Sequence, residues 1–230
     1  MSRITGICSL YEPLAFLANR IRNLNQCDLS DTSIFFADCS SEPTWKTVKT
    51  IIESDCKFQY QLHHFDERNT LYYTWAWVVD RTKDTTVYFC NTNVDDIQEP
   101  TYHKKMAEFL DQHLGVEIVA CTWLITEIKG QIWPPNAQSA SGPNVDRTMG
   151  HFPMWRASLH RAGLNFDQRM VAIGDSFFWS AVKKQYGRSA LAILDEQLSC
   201  YLSHENNLYY TAKGPQGQNG EAYDRCIGPH

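Results

Sequence analysis

Long apolar runs are missing from this 230-residue chain, and none approaches the ~20 residues that a membrane span needs. The start, Met1-Ser2-Arg3-Ile4-Thr5-Gly6-Ile7, has no apolar segment of the signal-peptide kind. None of the eight cysteines stands in a Cys-x-x-Cys pair, so neither a zinc ribbon nor a thioredoxin-like redox pair is indicated. A disulfide framework is not expected in a domain of this size without a secretory signal. Cys8, Cys90 and Cys121 lie inside apolar runs, where free cysteine behaves as a small buried hydrophobe. Positive charge is also short: the formal net charge is −5, which argues against a general nucleic-acid binder. No internal repeat occurs, and no low-complexity tract precedes the Gly- and Gln-rich stretch from Gly214. These absences point to a cytoplasmic, reducing setting with no membrane span. The hydrophobic share of 43% is enough for a packed core.

What is present alternates between strand and helix. Ile4 to Tyr11 reads as a strand, broken by Glu12-Pro13. Leu14, Phe16, Leu17, Ile21 and Leu24 follow at helical spacing. Ser33 to Ala37 is a second strand ending at Asp38, and Ser40 to Thr44 carries helix-start chemistry for a helix through Val48, Ile51 and Ile52. Phe58 to His63 is a third strand, with His63-His64 at its end. Asn69 to Val79 is a helix, and the apolar run from Thr86 a fourth strand. The pattern predicts an α/β fold with a doubly wound, mostly parallel sheet. After Pro100 come a helix over Tyr102 to Leu114, a strand over Val116 to Thr126 and a mobile loop over Pro134 to Gly150. A short element over Phe152 to His160, a helix over Val171 to Tyr186 and a strand or strand pair over Ala190 to Leu202 complete the ordered part.

Carboxylates recur where these elements end: Asp38, the pair Asp95-Asp96, and Asp175 in Gly174-Asp175-Ser176. Parallel strands deliver their C-terminal ends to one edge of a sheet, where open α/β sheets hold ligands. Asp38 and Asp95-Asp96 therefore share a crevice with Tyr11 and Glu12. Asp38 suits a base N–H or a ribose hydroxyl. Asp95 and Asp96 suit Mg²⁺ or Mn²⁺ held together with diphosphate oxygens. A turn or helix cap is the other reading of the Asp pair. Asp175 reads either as a helix N-cap or as a general base.

Taken in order, these segments resemble a GT-A glycosyltransferase of the family-2 type. Ile7-Cys8-Ser9-Leu10-Tyr11-Glu12-Pro13 is similar to the strand that cups the nucleotide. Phe35-Phe36-Ala37-Asp38-Cys39-Ser40-Ser41-Glu42 is similar to the base-contacting segment. Tyr88 through Asp96 is similar to the metal motif. Met154-Trp155-Arg156-Ala157-Ser158-Leu159, Phe166-Asp167 and Gly174 through Trp179 are similar to the acceptor-side block. The resemblance implies one catalytic domain over 1–212, with a nucleotide-sugar half (1–100), an acceptor half (101–212) and a flexible tail over 213–230. It implies nucleotide contacts from Leu10, Tyr11, Glu12, Asp38, Arg68, Asn93, Val94 and Asp95. A Mn²⁺ or Mg²⁺ cofactor would rest on Asp95 and Asp96, with a shell completed by His204 or His151. Asp175 would be the base, and Trp155 and Arg156 acceptor contacts. The reaction implied is transfer from a nucleoside-diphosphate sugar, UDP-sugar favoured, to a glycan or other hydroxyl, with inversion.

The chain departs from the family at three places. Asn93 stands where many relatives have Asp. Trp75 stands where many have a phosphate-holding Arg, which leaves Arg68 as the substitute. Gly174-Asp175 replaces a common Glu-Asp. Two rivals stay open: a sugar-phosphate nucleotidyltransferase, which would normally show an early Gly-rich phosphate loop absent from Ser9 to Pro13, and a non-catalytic carbohydrate-binding relative.

Overall fold

The computed structural model describes residues 2–146, 148–205 and 207. The 213–230 segment expected to fray lies outside the described residues. Four strands follow the β-α alternation of the sequence: β1 (Ile4–Leu10), β2 (Thr32–Asp38), β3 (Tyr60–His64) and β4 (Tyr88–Asn91). Between them run α1 (Leu17–Leu24), α2 (Glu42–Asp55) and α3 (Leu71–Thr82). These strands pair in parallel in the order β3-β2-β1-β4, as the short crossovers require.

The second half extends the same sheet. It contains β5 (Ile97–Gln98), α4 (Tyr102–Gln112), β6 (Ile118–Thr126), β7 (Ser139–Ser141), β8 (Pro153–Arg156), α5 (Ser158–Arg161), α6 (Gly174–Tyr186) and β9 (Leu191–Leu202). The full order is β3-β2-β1-β4-β8-β6-β9-β5, with β7 on β6. β8 is antiparallel to both β4 and β6, while β6 and β9 are parallel to each other. Two reversals in succession restore the direction, so β1, β4, β6 and β9 all send their C-terminal ends to one edge.

Two differences from the sequence reading have local causes, and one alternative is decided. The 134–150 stretch is not all loop: Ser139–Ser141 pairs with Trp123 to Ile125, although its side chains are exposed and leave no apolar alternation to read. Strand β5 has two residues, too few for a period. Ala190 to Leu202 is one long strand, which keeps its pairing with β6 through a bulge at Cys121–Trp123.

Adjacent residues of each strand feed opposite faces. Ile7, Phe35 and Phe89 pack with Trp75, Val78 and Val79 of α3 and Phe178, Trp179 and Val182 of α6. Their neighbours Cys8 and Phe36 pack on the other face against Leu17 and Ile21 of α1 and Val48 and Ile52 of α2, while Cys90 packs against Met106 and Leu110 of α4. No helix among the described residues is long and apolar enough to cross a membrane.

One buried cation ties α1 to β5. Arg20 is 1% exposed and donates to Asn23 Oδ1 (2.9 Å), the Asp96 carbonyl (3.2 Å) and Gln98 Oε1 (2.6 Å). Arg20→Ala strands two buried acceptors, since Asn23 Oδ1 keeps its bond from Gln98 N, and is expected to cost about 3 kcal/mol, read as a lower urea midpoint with unchanged slope.

Candidate active site

The C-terminal edge collects residues from both halves. Tyr11, just past β1, is half exposed, and the Arg68 guanidinium lies 4.2 Å from its ring centroid. This cation–π pair forms a flat, partly open platform. Glu12 takes a left-handed conformation (φ 47°) and turns its carboxylate to the start of α2. There it accepts from Ser41 N (2.8 Å) and from Thr44 Oγ1. Thr44 first, then Ser41, hold its pKa below the usual carboxylate value. Leu10 is buried, and Val94 packs beneath the site against the α1–α2 core.

Asp38 ends β2 at 0% exposure. Oδ1 accepts from Ser40 Oγ (2.7 Å), and Oδ2 from Ser40 N (3.2 Å) and His64 Nδ1 (2.8 Å). A carboxylate so enclosed is removed from direct contact with a ligand. His64 is a partner of Asp38 that the sequence does not mark, because two adjacent histidines at a strand end carry no periodic signal. The register that sets Asp38 opposite His64 would have found it.

Asn93 through Asp96 form a turn closed by Asp96 N to Asn93 O (3.4 Å). The turn expected as one reading of the Asp pair is therefore present, and its two aspartates point different ways. Asp96 points inward at 2% exposure, where Oδ1 accepts from Leu202 N (3.3 Å) and Oδ2 from Asn93 Nδ2 (2.9 Å). Burial first, then the neighbouring Asp95 charge, push its pKa well above the carboxylate range. Asp95 points outward, with Oδ2 3.0 Å from His204 Nε2 and 3.3 Å from Asn207 Nδ2. The expected side-by-side pair is thus split: Asp95 faces the crevice and Asp96 braces the turn against β9.

His204 arrives because β9 runs parallel to β6 and ends at this edge. It packs on Phe16, with ring centroids 4.9 Å apart. His151 takes the other histidine's place in no shell. It stacks on Tyr201 at 4.2 Å and meets the Trp123 ring edge-on, and burial lowers its pKa to about 4. The Asp95–His204 pair fits a divalent cation. A carboxylate oxygen and an imidazole nitrogen are both donors that such a cation takes, and here they lie 3.0 Å apart. Among the described residues no group of three or more His, Cys, Asp or Glu side chains converges.

Asp175 opens α6 beside Tyr72 of α3. Tyr72 donates to Asp175 Oδ1 (3.0 Å), which also accepts from Ser176 N (2.9 Å). Burial raises the Asp175 pKa against these two hydrogen bonds. Gly174 allows the approach, since a Cβ there would lie 2.7 Å from the Tyr72 ring. Gly174→Ala should cost about 1–3 kcal/mol and displace the phenol, read as a lower Tm. Nothing in the sequence patterns marks Tyr72, whose partner is 103 residues away.

Two expected acceptor residues are elsewhere. Trp155 is 0% exposed in the core, donating from Nε1 to His160 Nε2 (2.8 Å). Arg156 donates to the carbonyls of Val116 (2.8 Å) and Leu110 (2.6 Å) and pairs in register with Tyr88, at the opposite end of β4 from the crevice. Both are structural: a strand that reverses direction presents its residues to the far edge.

No protein-family model and no curated protein sequence matches the chain. Solved structures do resemble it. S. aureus TarS 1-349 in complex with UDP-GlcNAc gives a TM-score of 0.69 at 13% identity, over 90% of this chain and 60% of that one. The mannosyltransferase PcManGT from Pyrobaculum calidifontis, in complex with GDP-Man and Mn²⁺, gives 0.68 at 14%, over 91% and 59%. Glucosyl-3-phosphoglycerate synthase from Mycobacterium tuberculosis, in complex with Mn²⁺, UDP-Glc and phosphoglyceric acid, gives 0.61 at 11%, over 90% and 72%. The chain spans 37% of the longer S. aureus TarS structure. The fold is that of GT-A glycosyltransferases.

Proposed function

We propose that the chain is a divalent-metal-dependent glycosyltransferase that moves a sugar from a nucleoside-diphosphate donor to an acceptor hydroxyl. The observation that carries this reading is the Asp95–His204 pair, assembled across 109 residues at the ligand edge of the sheet. Complexes of the structural neighbours with UDP-GlcNAc, GDP-Man and UDP-Glc support it by analogy of fold.

Tyr11 and Arg68 take the base and its nearby phosphate, and Leu10, Glu12 and Val94 shape the walls of that pocket. Asp95 and His204 hold Mn²⁺ or Mg²⁺. When bound, the cation neutralises charge growing on the diphosphate leaving group. Asn93 and Asp96 keep the turn that aims Asp95. Asp175 accepts the proton of the attacking hydroxyl, its raised pKa bringing it closer to a useful base at neutral pH. Attack opposite the leaving group inverts the anomeric centre in one displacement. The free cysteines among the described residues suit a reducing, cytoplasmic setting.

The test incubates the protein with UDP- and GDP-sugars, with and without Mn²⁺, and follows release of nucleoside diphosphate. Release that needs the metal and rises with an acceptor is expected. Release of pyrophosphate from a nucleoside triphosphate and a sugar phosphate would instead identify a nucleotidyltransferase.

A further inference from the structure

A polar cleft of about 410 Å³ opens where β9 leaves its register with β6. Thr122 of β6, Ala140 and Ser141 of β7, and Asp195 and Gln197 of β9 line it. Its volume lies in the range of small-molecule sites. The bulge makes the cleft: from Cys121 to Trp123 on β6, the partner residues on β9 run from Leu194 to Ser199. Leu194 and Leu198 keep to the α4 core, and Glu196 accepts from Lys105 of α4 (2.6 Å). Asp195 and Gln197 alternate to the other face of the sheet. That is the face on which Ile118 and Ala120 of β6 pack with Phe178 and Trp179 of α6. Small residues on β7 keep the mouth open, since a Cβ at Gly142 would lie 3.2 Å from Thr122 Cγ2. Among the described residues, the side chains of Thr122, Ser141, Asp195 and Gln197 have no hydrogen-bond or ion-pair partner.

The lining selects the ligand. A carboxylate, an amide and two hydroxyls, with no Lys, Arg or His, are the wrong set for a phosphate or another anion. Ala140 is the one apolar side chain, so a lipid tail finds almost nothing to bury against. The Asp195 carboxylate accepts, the Gln197 amide both donates and accepts, and the two hydroxyls do either. Such a set pairs with the neighbouring hydroxyls of a sugar ring. We propose that the cleft is an accessory saccharide site, which holds a sugar unit already present in an oligosaccharide acceptor while the end of that acceptor lies at Asp175. The placement supports this, because Asp175 stands in the first turn of α6, on the same face of the sheet. Thr122 precedes Thr126, the end of β6 at the ligand edge, by about 13 Å of strand. An acceptor of several units spans that length and a single sugar does not. This inference rests on the glycosyltransferase reading and adds the class of acceptor.

Calorimetric titration of the full chain with chitohexaose, maltohexaose and mannohexaose, without nucleotide, tests it. At least one should bind the parent, and Asp195→Ala should weaken that binding about tenfold, the scale of a hydrogen bond to a charged group. Ala140→Trp fills the mouth from an exposed position and should abolish it. Both variants should keep the parental affinity for UDP in Mn²⁺, which also reports that they fold. With the bound hexasaccharide as acceptor, Asp195→Ala should raise KM about tenfold at unchanged kcat. With the corresponding monosaccharide it should match the parent. Failure of all three sugars to bind the parent overturns the proposal, as does parental binding by a folded Asp195→Ala or Ala140→Trp. Binding of hexalysine in place of the sugars would assign the cleft to a basic peptide and overturn it too. In each of these cases, release of nucleoside diphosphate from a nucleotide sugar leaves the glycosyltransferase reading standing. Sugar binding that follows the variants, with no such release, overturns that reading and not the saccharide site.

Discussion

Asp95→Asn is expected to abolish the gain in nucleotide affinity that Mn²⁺ brings, while Asp96→Asn keeps it. The two residues are adjacent in sequence and chemically identical, so the contrast comes wholly from the turn. Asp95 presents its carboxylate to His204, whereas both Asp96 oxygens are taken by Asn93 and the β9 backbone. Losing an outer-shell partner already costs roughly 10–100-fold in metal affinity, and a direct ligand costs at least that much. Asp96→Asn should remain within about threefold of the parent, or roughly 0.7 kcal/mol. An asparagine at 96 can still accept from Leu202 N, and a turned Asn93 amide can meet its other end. Burial first, then the Asp95 charge, disfavours the ionised Asp96, so a neutral amide in its place relieves that cost. His204→Ala should resemble Asp95→Asn. Titration of UDP in Mn²⁺ and in chelator reads all three variants. Equal losses at 95 and 96 would return the metal to both aspartates.

The second large effect is at Asp175. Asp175→Asn should bind nucleotide as the parent does and lose about 10²–10⁴ in transfer rate, the usual contribution of a positioned general base. The variant should be no less stable at neutral pH. Burial raises the folded-state pKa of Asp175, so the folded protein holds more protons than the unfolded chain between the two values. Stability from this group is complete below the unfolded pKa and declines as pH rises through the folded one. Asparagine removes that decline and still accepts from Tyr72 and Ser176. Activity runs the other way, since the transfer rate falls on the acid side as Asp175 takes up its proton. Tyr72→Phe removes a donor that favours the ionised form, so the acid limb of the pH–rate profile should move upward. A profile unchanged in Tyr72→Phe would sink the coupling between the two residues.

Much of the framework was legible because it is periodic. The parallel order of β1 to β4 follows from short crossovers, and the crevice follows from where such strands end. Asp95, Tyr11 and Asp175 were marked by type and place. The sequence did not show which of two adjacent aspartates faces out, because that depends on one hydrogen bond from Leu202, 106 residues away. It hid the partnership of Asp38 with His64 for a related reason: register sets that pair, and neither residue signals it alone. Arg156 misled because its segment, Met154 to Leu159, resembles the acceptor-side block. The antiparallel run of β8 carries it instead to carbonyls at the far edge, where it closes the end of α4.

The position of β9 has a temporal consequence. Strands β1 to β4 are complete by residue 91, yet His204 joins Asp95 only once β9 lies beside β6 and pairs with β5, Ile97 against Cys200. On the proposed reading, metal-dependent nucleotide binding therefore returns in refolding no earlier than the docking of β9.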